Sequence, residues 1–320
     1  MILRCCLLLL VFFSPAVAQP AQHSQTESDI ESHTQSQLRV VSSIRPLHSL
    51  LSAIMHGSGK PALLLDSSQS IHHYSLRPSE RRLLANADLL FWIGDTLESF
   101  MPRILHALPD HTRGVKLIET DQLLLLPPRQ TDSNASGSNN HHTHATVDPH
   151  IWLSPANAIL MAKKMAAVLS EAEPSHAAVY QQNTIKLTAR LNQLQKKIRL
   201  SFPQKKFNYL VYHDAFQYFE DSIKVKPLAV ISTNEEQTPG ARHLKRIHKL
   251  LTDNKVNCII YNTSTLPPIV NNLIQDHASL AVYLEPTGQQ FKSGEDLYFQ
   301  LMHTMIDAYK QCQINNSPRP

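Results

Sequence analysis

The sequence contains little cysteine and little glycine, with 4 Cys and 8 Gly among 320 residues. It has no glycine-rich phosphate loop, no H-E-x-x-H pair and no G-x-S-x-G nucleophile elbow, so the common nucleotide-binding and hydrolase signatures are missing. The net charge is only +4 and no basic stripe with interleaved aromatic residues occurs, which argues against a nucleic-acid binder. Beyond the first residues, no apolar run is long enough to cross a bilayer.

The amino-terminal residues have the pattern of a secretory signal. Arg4 precedes an apolar run from Cys5 to Phe13, and "AVA" at residues 16–18 is an A-x-A cleavage site. The run is too short for a membrane anchor, and its cysteines precede it rather than follow it, which argues against a lipoprotein. We therefore predict a signal peptide over residues 1–18 and a soluble, exported mature protein.

Signal cleavage leaves two cysteines, Cys258 and Cys312. An even pair in an oxidising compartment predicts a disulfide. The alternatives are two buried free thiols or a thiolate metal site. The metal site is disfavoured because the pair is far apart in sequence and lacks C-x-x-C spacing.

The rest of the chain alternates short apolar runs with helical patterns, after a polar leader (19–37) that we predict to be disordered. The apolar runs predict strands at 39–44, 61–65, 88–93, 115–118, 207–212, 227–231, 257–262 and 280–284. The segments between them accommodate helices at 46–56, 78–86, 96–107, 214–221, 240–252, 267–277 and 295–311. This alternation predicts an α/β protein of two lobes, each a mostly parallel four-stranded sheet flanked by helices.

The middle of the chain separates the two predicted lobes. "PPRQTDSNASGSNNHHTHATVDP" is poor in apolar residues and predicts a loop, with a His-containing part at 129–147. Ser154 then caps a helix that has Pro155 in its first turn. A helical run without Gly or Pro, polar on most faces, follows and predicts one long linker helix. We expect an N-terminal lobe over 38–173, the linker helix over 174–203 and a C-terminal lobe over 204–316.

Histidine is abundant, with 18 residues, and several histidines lie just after predicted strands. A lone histidine is more often a satisfied or solvated side chain than a ligand. In open parallel sheets, however, ligands bind beyond the carboxyl ends of the strands. Imidazoles gathered there with one carboxylate suit a borderline metal such as zinc. The residues at these positions are His72 and His73, His150 at the close of the loop, His213 and Glu285.

Four stretches, "HHYSLRPSE", "DPHIWLSP", "YHDAFQYFED" and "TPGARHLKRI", closely resemble the periplasmic zinc-binding proteins of ABC-type zinc importers, the ZnuA family. The resemblance runs from about Val40 to Cys312. It implies two α/β lobes joined by one long helix, metal bound in the cleft, and delivery to a membrane permease driven by a separate ATPase. We therefore expect a monomeric, periplasmic protein that binds Zn²⁺ with high affinity, is not an enzyme and has no nucleic-acid partner.

The resemblance also implies a set of metal ligands: His72, His150, His213 and Glu285. Water competes with Glu285 for the fourth position. The manganese-type branch of the superfamily carries Glu where this chain has His213, which favours zinc over Mn²⁺. Two departures affect the first ligand. Ile71 stands where relatives often have an acidic residue, and His73 stands where Asp is common, so His73 is an alternative to His72.

Relatives often carry a loop rich in histidine and acidic residues before the second ligand. This chain has a short version, which predicts weak auxiliary metal binding or a solvated loop with no metal role; its histidines are His141, His142 and His144. A solute-binding protein for another metal such as Mn²⁺ is the main alternative function. A secreted zinc hydrolase lacks an evident general base, and a surface adhesin lacks a lipid-anchoring cysteine. His48 is expected to be a packing residue on a helix.

Overall fold

A computed structural model describes residues 37–66, 74–129, 147–203, 207–232, 239–254, 256 and 258–315. All of them belong to one compact unit, Gln37–Pro320. The predicted signal peptide and nearly all of the predicted leader lie outside the described residues. Within the described ranges, no helix has both the length and the hydrophobicity that a membrane span requires.

The elements of the first lobe are β1 (Val40–Ser42), α1 (Arg45–Ile54), β2 (Ala62–Leu63), α2 (Pro78–Ala85), β3 (Leu89–Trp92), α3 (Met101–Leu105) and β4 (Arg113–Lys116). Its four strands are parallel and lie in the order β2-β1-β3-β4. All four residues of the inner strand β3 are buried, as expected for a parallel strand with both faces covered.

The elements of the second lobe are β5 (Tyr209–Val211), α6 (Gln217–Ile223), β6 (Ala229–Val230), α7 (Ala241–Asn254), β7 (Cys258–Tyr261), α8 (Pro268–His277) and β8 (Leu280–Tyr283), followed by α9 (Leu297–Asn315). Its four strands are parallel and lie in the order β6-β5-β7-β8, which repeats the arrangement of the first lobe. The predicted pair of parallel four-stranded sheets is therefore confirmed.

Two predicted helices are wrong in extent. The helix predicted over 96–107 is reduced to α3, because Glu98 folds back to accept hydrogen bonds from the backbone N–H groups of Ile93 and Gly94, 3.3 and 3.0 Å away. The helix predicted over 214–221 begins only at Gln217, because a tight turn follows β5, in which the Ala215 N–H donates to the His213 carbonyl at 3.0 Å.

Two long helices connect the sheets: α4 (Pro155–Ala172) and α5 (Ala177–Ser201). Ser154 caps α4 as predicted, since its hydroxyl accepts from the Asn157 N–H at 3.3 Å and Pro155 occupies the first turn. The long helix α5 is less solvated than its composition indicates. Alternating three- and four-residue steps place one buried stripe along its length: Tyr180, Thr184, Leu187, Leu191, Leu194 and Ile198.

The predicted disulfide is confirmed. Cys258 opens β7 and Cys312 lies near the end of α9; both are fully buried, and their Cα atoms are 5.2 Å apart. The main hydrophobic core runs through both lobes by way of α4, α5 and α9. A smaller core lies between the second sheet and the helices α7 and α8, with Ile247, Leu251 and Leu273 among its members.

Candidate metal centre

The residues that end the strands of the second sheet supply two of the predicted ligands. His213 follows β5 by two residues, and Glu285 follows β8 by two residues. Both strands are parallel, so both side chains belong to the carboxyl edge of one sheet. A third predicted ligand, His150, immediately precedes the short turn Ile151–Leu153 that leads into α4.

His150 is held by a neighbouring carboxylate. Its side chain is almost fully buried, and its Nδ1 lies 2.7 Å from Oδ1 of Asp148, which is also buried. The same Asp148 oxygen accepts the His150 backbone N–H at 3.0 Å. Because Nδ1 is engaged with the carboxylate, Nε2 is the nitrogen through which His150 can bind a metal, and the carboxylate makes it a better donor.

His213 lies beside His150 across the two lobes. The ring centroids are 5.8 Å apart and the ring planes meet at 75°. His213 is 9% exposed and His150 is 3% exposed, so both imidazoles are largely removed from solvent. Two buried imidazoles at this separation could together hold a borderline divalent metal.

Glu285 is buried and its carboxylate organises its own loop. One oxygen accepts from the N–H and the hydroxyl of Thr287, at 2.9 and 2.6 Å, and the other accepts from the Gln289 N–H at 2.9 Å. These bonds fix the carboxylate in place. Carboxylates that bind metals are commonly held by such bonds, so this arrangement is compatible with a ligand as well as with a purely structural group.

Trp152 ties the histidine segment to the loop of Glu285. Its indole N–H donates to the Pro286 carbonyl at 2.9 Å, and its own carbonyl accepts from the Tyr298 hydroxyl at 2.8 Å. Its ring centroid is 5.3 Å from that of His150. The fully buried tryptophan therefore joins the segment that carries His150 to the loop that carries Glu285.

A buried charge network lies next to His213. Arg129 donates to Asp214 at 2.6 Å and also pairs with Glu220. Glu220 is fully buried and also accepts from the hydroxyls of Tyr209 and Tyr309, at 2.8 and 2.7 Å. Burial raises the pKa of Asp214 to about 6, although the charge of Arg129 opposes the shift. This network fixes the chain segment that precedes the His-containing loop onto the second lobe.

The sequence reasoning missed the partners of the histidines. The sequence alone does not identify Asp148 as the partner of His150, nor does it single out Arg129, Glu220 and Glu98. One sequence signal was available, since in "DPH" an aspartate followed by proline is typical of a turn in which the carboxylate accepts the N–H two residues on. His48 lies on α1 as predicted and contacts the Pro61 carbonyl through Nε2 at 3.1 Å.

Five predicted site residues lie outside the described residues: His72, His73, His141, His142 and His144. Within the described part of the chain, no group of three or more His, Cys, Asp or Glu side chains is arranged to hold a metal ion. Among the described residues, the structure therefore brings together His150, its partner Asp148 and His213, whereas Glu285 does not complete a three-ligand group with the two histidines.

Residues 40–312 match the family described as "Zinc-uptake complex component A periplasmic" (ZnuA). The high-affinity zinc uptake system protein ZnuA of Brucella abortus (strain 2308) is 30% identical over an alignment 308 residues long, and the alignment covers 85% of this chain and 91% of that protein.

Two solved structures have a similar fold. The first is the Zn(II)-bound AdcAII mutant variant of Streptococcus pneumoniae, with a TM-score of 0.70 and 20% identity, covering 86% of this chain and 99% of that chain. The second is FpvC of Pseudomonas aeruginosa in complex with Mn²⁺, with a TM-score of 0.74 and 18% identity, covering 87% of this chain and 99% of that chain.

Proposed function

The chain belongs to the family of periplasmic zinc-uptake complex components (ZnuA), and from this premise we propose that it captures Zn²⁺ in the periplasm and delivers it to an ABC importer. The partners are a membrane permease and the ATPase that drives it. The protein acts as a monomer, with lobes at 38–173 and 204–316 and a linker over 174–203. Capture and delivery require no catalytic group, so the proposal assigns none.

The observation that carries the proposal is the pair of buried imidazoles at the meeting point of the lobes. Neutral imidazole is a preferred zinc ligand, and His150 has the carboxylate partner that is common behind zinc-bound histidines. The negative charge of the buried Asp148 carboxylate offsets part of the positive charge that Zn²⁺ brings into a buried site.

The proposed ligand set has three imidazoles, His72, His150 and His213, and Glu285 or water in the fourth position. Tetrahedral sites with three histidines and one oxygen are well suited to zinc. Glu285 and water remain alternatives for the fourth position, and the N–H groups of Thr287 and Gln289 hold the Glu285 carboxylate in its loop. In the proposal, His73 is the alternative to His72, and His141, His142 and His144 form a weak auxiliary site.

Elemental analysis of protein purified from the periplasm without added metal tests the choice of metal. One equivalent of zinc per chain is expected. Manganese or iron at that level, or no metal after gentle purification, contradicts the proposal. His106→Gln, a change of an exposed histidine just after α3, serves as the control that should retain one equivalent.

Zinc affinity should fall steeply below about pH 6, because each ligating histidine must lose its proton and ordinary histidine titrates near 6.5. Three imidazole ligands make binding compete with up to three protons. Replacing His213 by Glu should flatten this slope by about one proton and weaken zinc relative to manganese, since carboxylate oxygen is the harder ligand. Competitive zinc titration of both proteins between about pH 5 and 8 measures the slopes. Identical slopes contradict the assignment of His213.

A further inference from the structure

A second pair of histidines meets in the second lobe, away from the proposed zinc ligands. His248 lies on α7 and His277 is the last residue of α8. Nδ1 of His248 is 3.1 Å from Nε2 of His277, the ring centroids are 5.3 Å apart and the ring planes meet at 50°. Both residues are half-buried, so each is partly exposed to solvent.

The distance between these nitrogens fits a shared metal ion. Metal–imidazole bonds of about 2.0–2.1 Å place two ligand nitrogens about 2.9 Å apart at a right angle and about 3.4 Å apart at the tetrahedral angle. The observed separation of 3.1 Å lies between these values. The distance between the two nitrogens is therefore compatible with two ligands of one divalent ion.

The helices that carry the pair are fixed by packing rather than by the histidines. Ile247, next to His248, and Leu251 are buried in the smaller core, and Leu273 of α8 is fully buried in the same core. Because this core sets the positions of α7 and α8, the separation of the rings is built into the fold. His277 also ends α8, where the partial negative charge of the helix C-terminus favours a bound cation.

We propose that His248 and His277 form a second, weaker site for a divalent transition metal, with water completing the coordination. The site is weaker than the proposed zinc centre because it has two imidazoles, is partly solvated and lies near the exposed Lys245 and Lys249, although Lys249 pairs with Asp253 at 2.6 Å. Its two nitrogens impose little geometry. The order of affinities should therefore follow the general series, in which Cu²⁺ binds most tightly and Ni²⁺ and Zn²⁺ follow.

Ni²⁺ titration of the zinc-loaded full chain tests this site. The parent protein for this test is a variant with the substitutions His141→Ser, His142→Ser and His144→Ser, so that the loop histidines cannot bind Ni²⁺. One equivalent of Zn²⁺ is added first and its uptake is measured separately, which keeps this test independent of the proposed zinc function. Calorimetry should then show one further equivalent of Ni²⁺.

His248→Asn and His277→Asn should each weaken this Ni²⁺ equivalent by more than about tenfold, because a single imidazole cannot chelate. Asparagine can keep a hydrogen bond to the remaining ring, so both variants should fold and retain the zinc equivalent. The matched control is His243→Asn on the same helix, whose ring nitrogen contacts the Val230 carbonyl at 3.0 Å; it should bind Ni²⁺ like the parent.

Two results overturn the proposal. If the parent binds no Ni²⁺ beyond the zinc equivalent, the pair is only a hydrogen bond in which one ring donates to the other. If the parent binds Ni²⁺ but both asparagine variants bind it equally well, the ion lies elsewhere. Ring proton signals of His248 and His277 that broaden first on adding paramagnetic Ni²⁺ give an independent reading of the same outcomes.

Discussion

The two lobes have sheets of the same topology, but they differ in the chain that follows the first strand, β1 in one lobe and β5 in the other. The hydrogen bonds correspond, since the Ser43 N–H donates to Phe91 in the first lobe as the Tyr212 N–H donates to Ile260 in the second. Two residues, 43 and 44, separate β1 from α1, whereas five residues, 212–216, separate β5 from α6. His213 lies in this longer connection, where its carbonyl accepts the Ala215 N–H at 3.0 Å. A later helix start therefore distinguishes this connection in the second lobe from its counterpart in the first.

The two lobes carry side chains of opposite charge at one pair of equivalent positions after these strands. Ile44 corresponds to His213, and therefore Arg45 corresponds to Asp214. Arg45 donates to the Phe291 carbonyl of the second lobe at 3.1 Å, and Asp214 accepts from Arg129 at 2.6 Å. Each lobe thus uses the residue after its strand exit to contact a segment from the other half of the chain. Equivalent backbone positions hold the lobes together with opposite charges.

Each lobe also buries one carboxylate completely, with different partners. Glu220 of the second lobe pairs with the cation Arg129. Glu98 of the first lobe has no cation among its described hydrogen-bond partners, which are the Ser43 hydroxyl at 2.5 Å and the N–H groups of Ile93 and Gly94. The lobes should therefore respond differently to loss of a cation and to pH.

Removal of Arg129 is expected to have the largest effect. Arg129→Met leaves the fully buried Glu220 and the partly buried Asp214 without their cation, which should cost about 3–5 kcal/mol of unfolding free energy. Urea unfolding of the metal-free protein measures this loss. Arg113→Met is the matched control, because Arg113 pairs with Glu171 on the surface at 3.0 Å and should cost less than about 1 kcal/mol. Equal losses in both variants contradict a special role for the buried network.

The titration of Glu98 should lower the folding stability of the protein as the pH rises. Burial raises its pKa to about 7 in the folded protein, although Ser43 and the backbone amides oppose the shift, whereas the ordinary value is 4.5. Below 4.5 both states hold the proton and no penalty exists. Between these values the unfolded chain releases its proton first, so stability falls with rising pH, by about 3 kcal/mol in total above pH 7.

Comparison with Glu98→Gln isolates this effect. Glutamine removes the titration but places an amide N–H₂ near donors, so the variant should be less stable than the wild type at pH 5 and should recover relative to it at pH 8. Urea unfolding of both metal-free proteins at the two pH values gives the difference. A difference that is the same at both pH values contradicts the raised pKa of Glu98.

Much of this architecture is predictable from the sequence, and what is not predictable has a physical reason. Short apolar runs predicted all eight strands, and the motifs around His72, His150 and His213 predicted the family that the comparisons confirm. The pairing of Asp148 with His150 could be predicted only with knowledge of the turn that places the two side chains together. The burial of Glu98 and Glu220 could not be predicted, because carboxylates are usually exposed and their partners lie far away in sequence. Whether His72 and Glu285 bind metal stays a prediction.

Removal of Arg45 is expected to weaken zinc binding. Arg45 joins Asp66, at the start of the segment that leads to His72, to Phe291 and Ser293 in the loop that begins with Glu285. Arg45→Met should loosen both segments and weaken zinc binding by about tenfold, the lower end of what supporting residues contribute to metal affinity. Competitive zinc titration measures the change.

Arg190→Met provides the control for Arg45. Arg190 also contacts this part of the chain, through Asp296 at 2.6 Å, but from the linker helix α5 and on the surface. Its replacement should leave zinc affinity within about twofold of the wild type, since exposed pairs contribute little. If the two variants lose the same affinity, the contact of Arg45 does not support the metal-binding segments.

The smallest expected effect concerns how the two lobes end their helices. In the second lobe, α6, which carries Glu220, is followed by Lys224 in the left-handed region with φ of 58°, whereas α2 of the first lobe is followed by Asn86 with φ of −96°. Left-handed backbone costs a non-glycine residue about 1 kcal/mol, and the exposed pair of Lys224 with Asp221 returns only part of that. Lys224→Gly should therefore raise the unfolding free energy by about 0.5–1 kcal/mol, and Asn86→Gly should lower it by up to about 1 kcal/mol through the greater freedom of glycine in the unfolded chain. Urea midpoints at constant slope measure both changes, and a loss of stability in Lys224→Gly would show that the side chain of Lys224 contributes more than its backbone conformation costs.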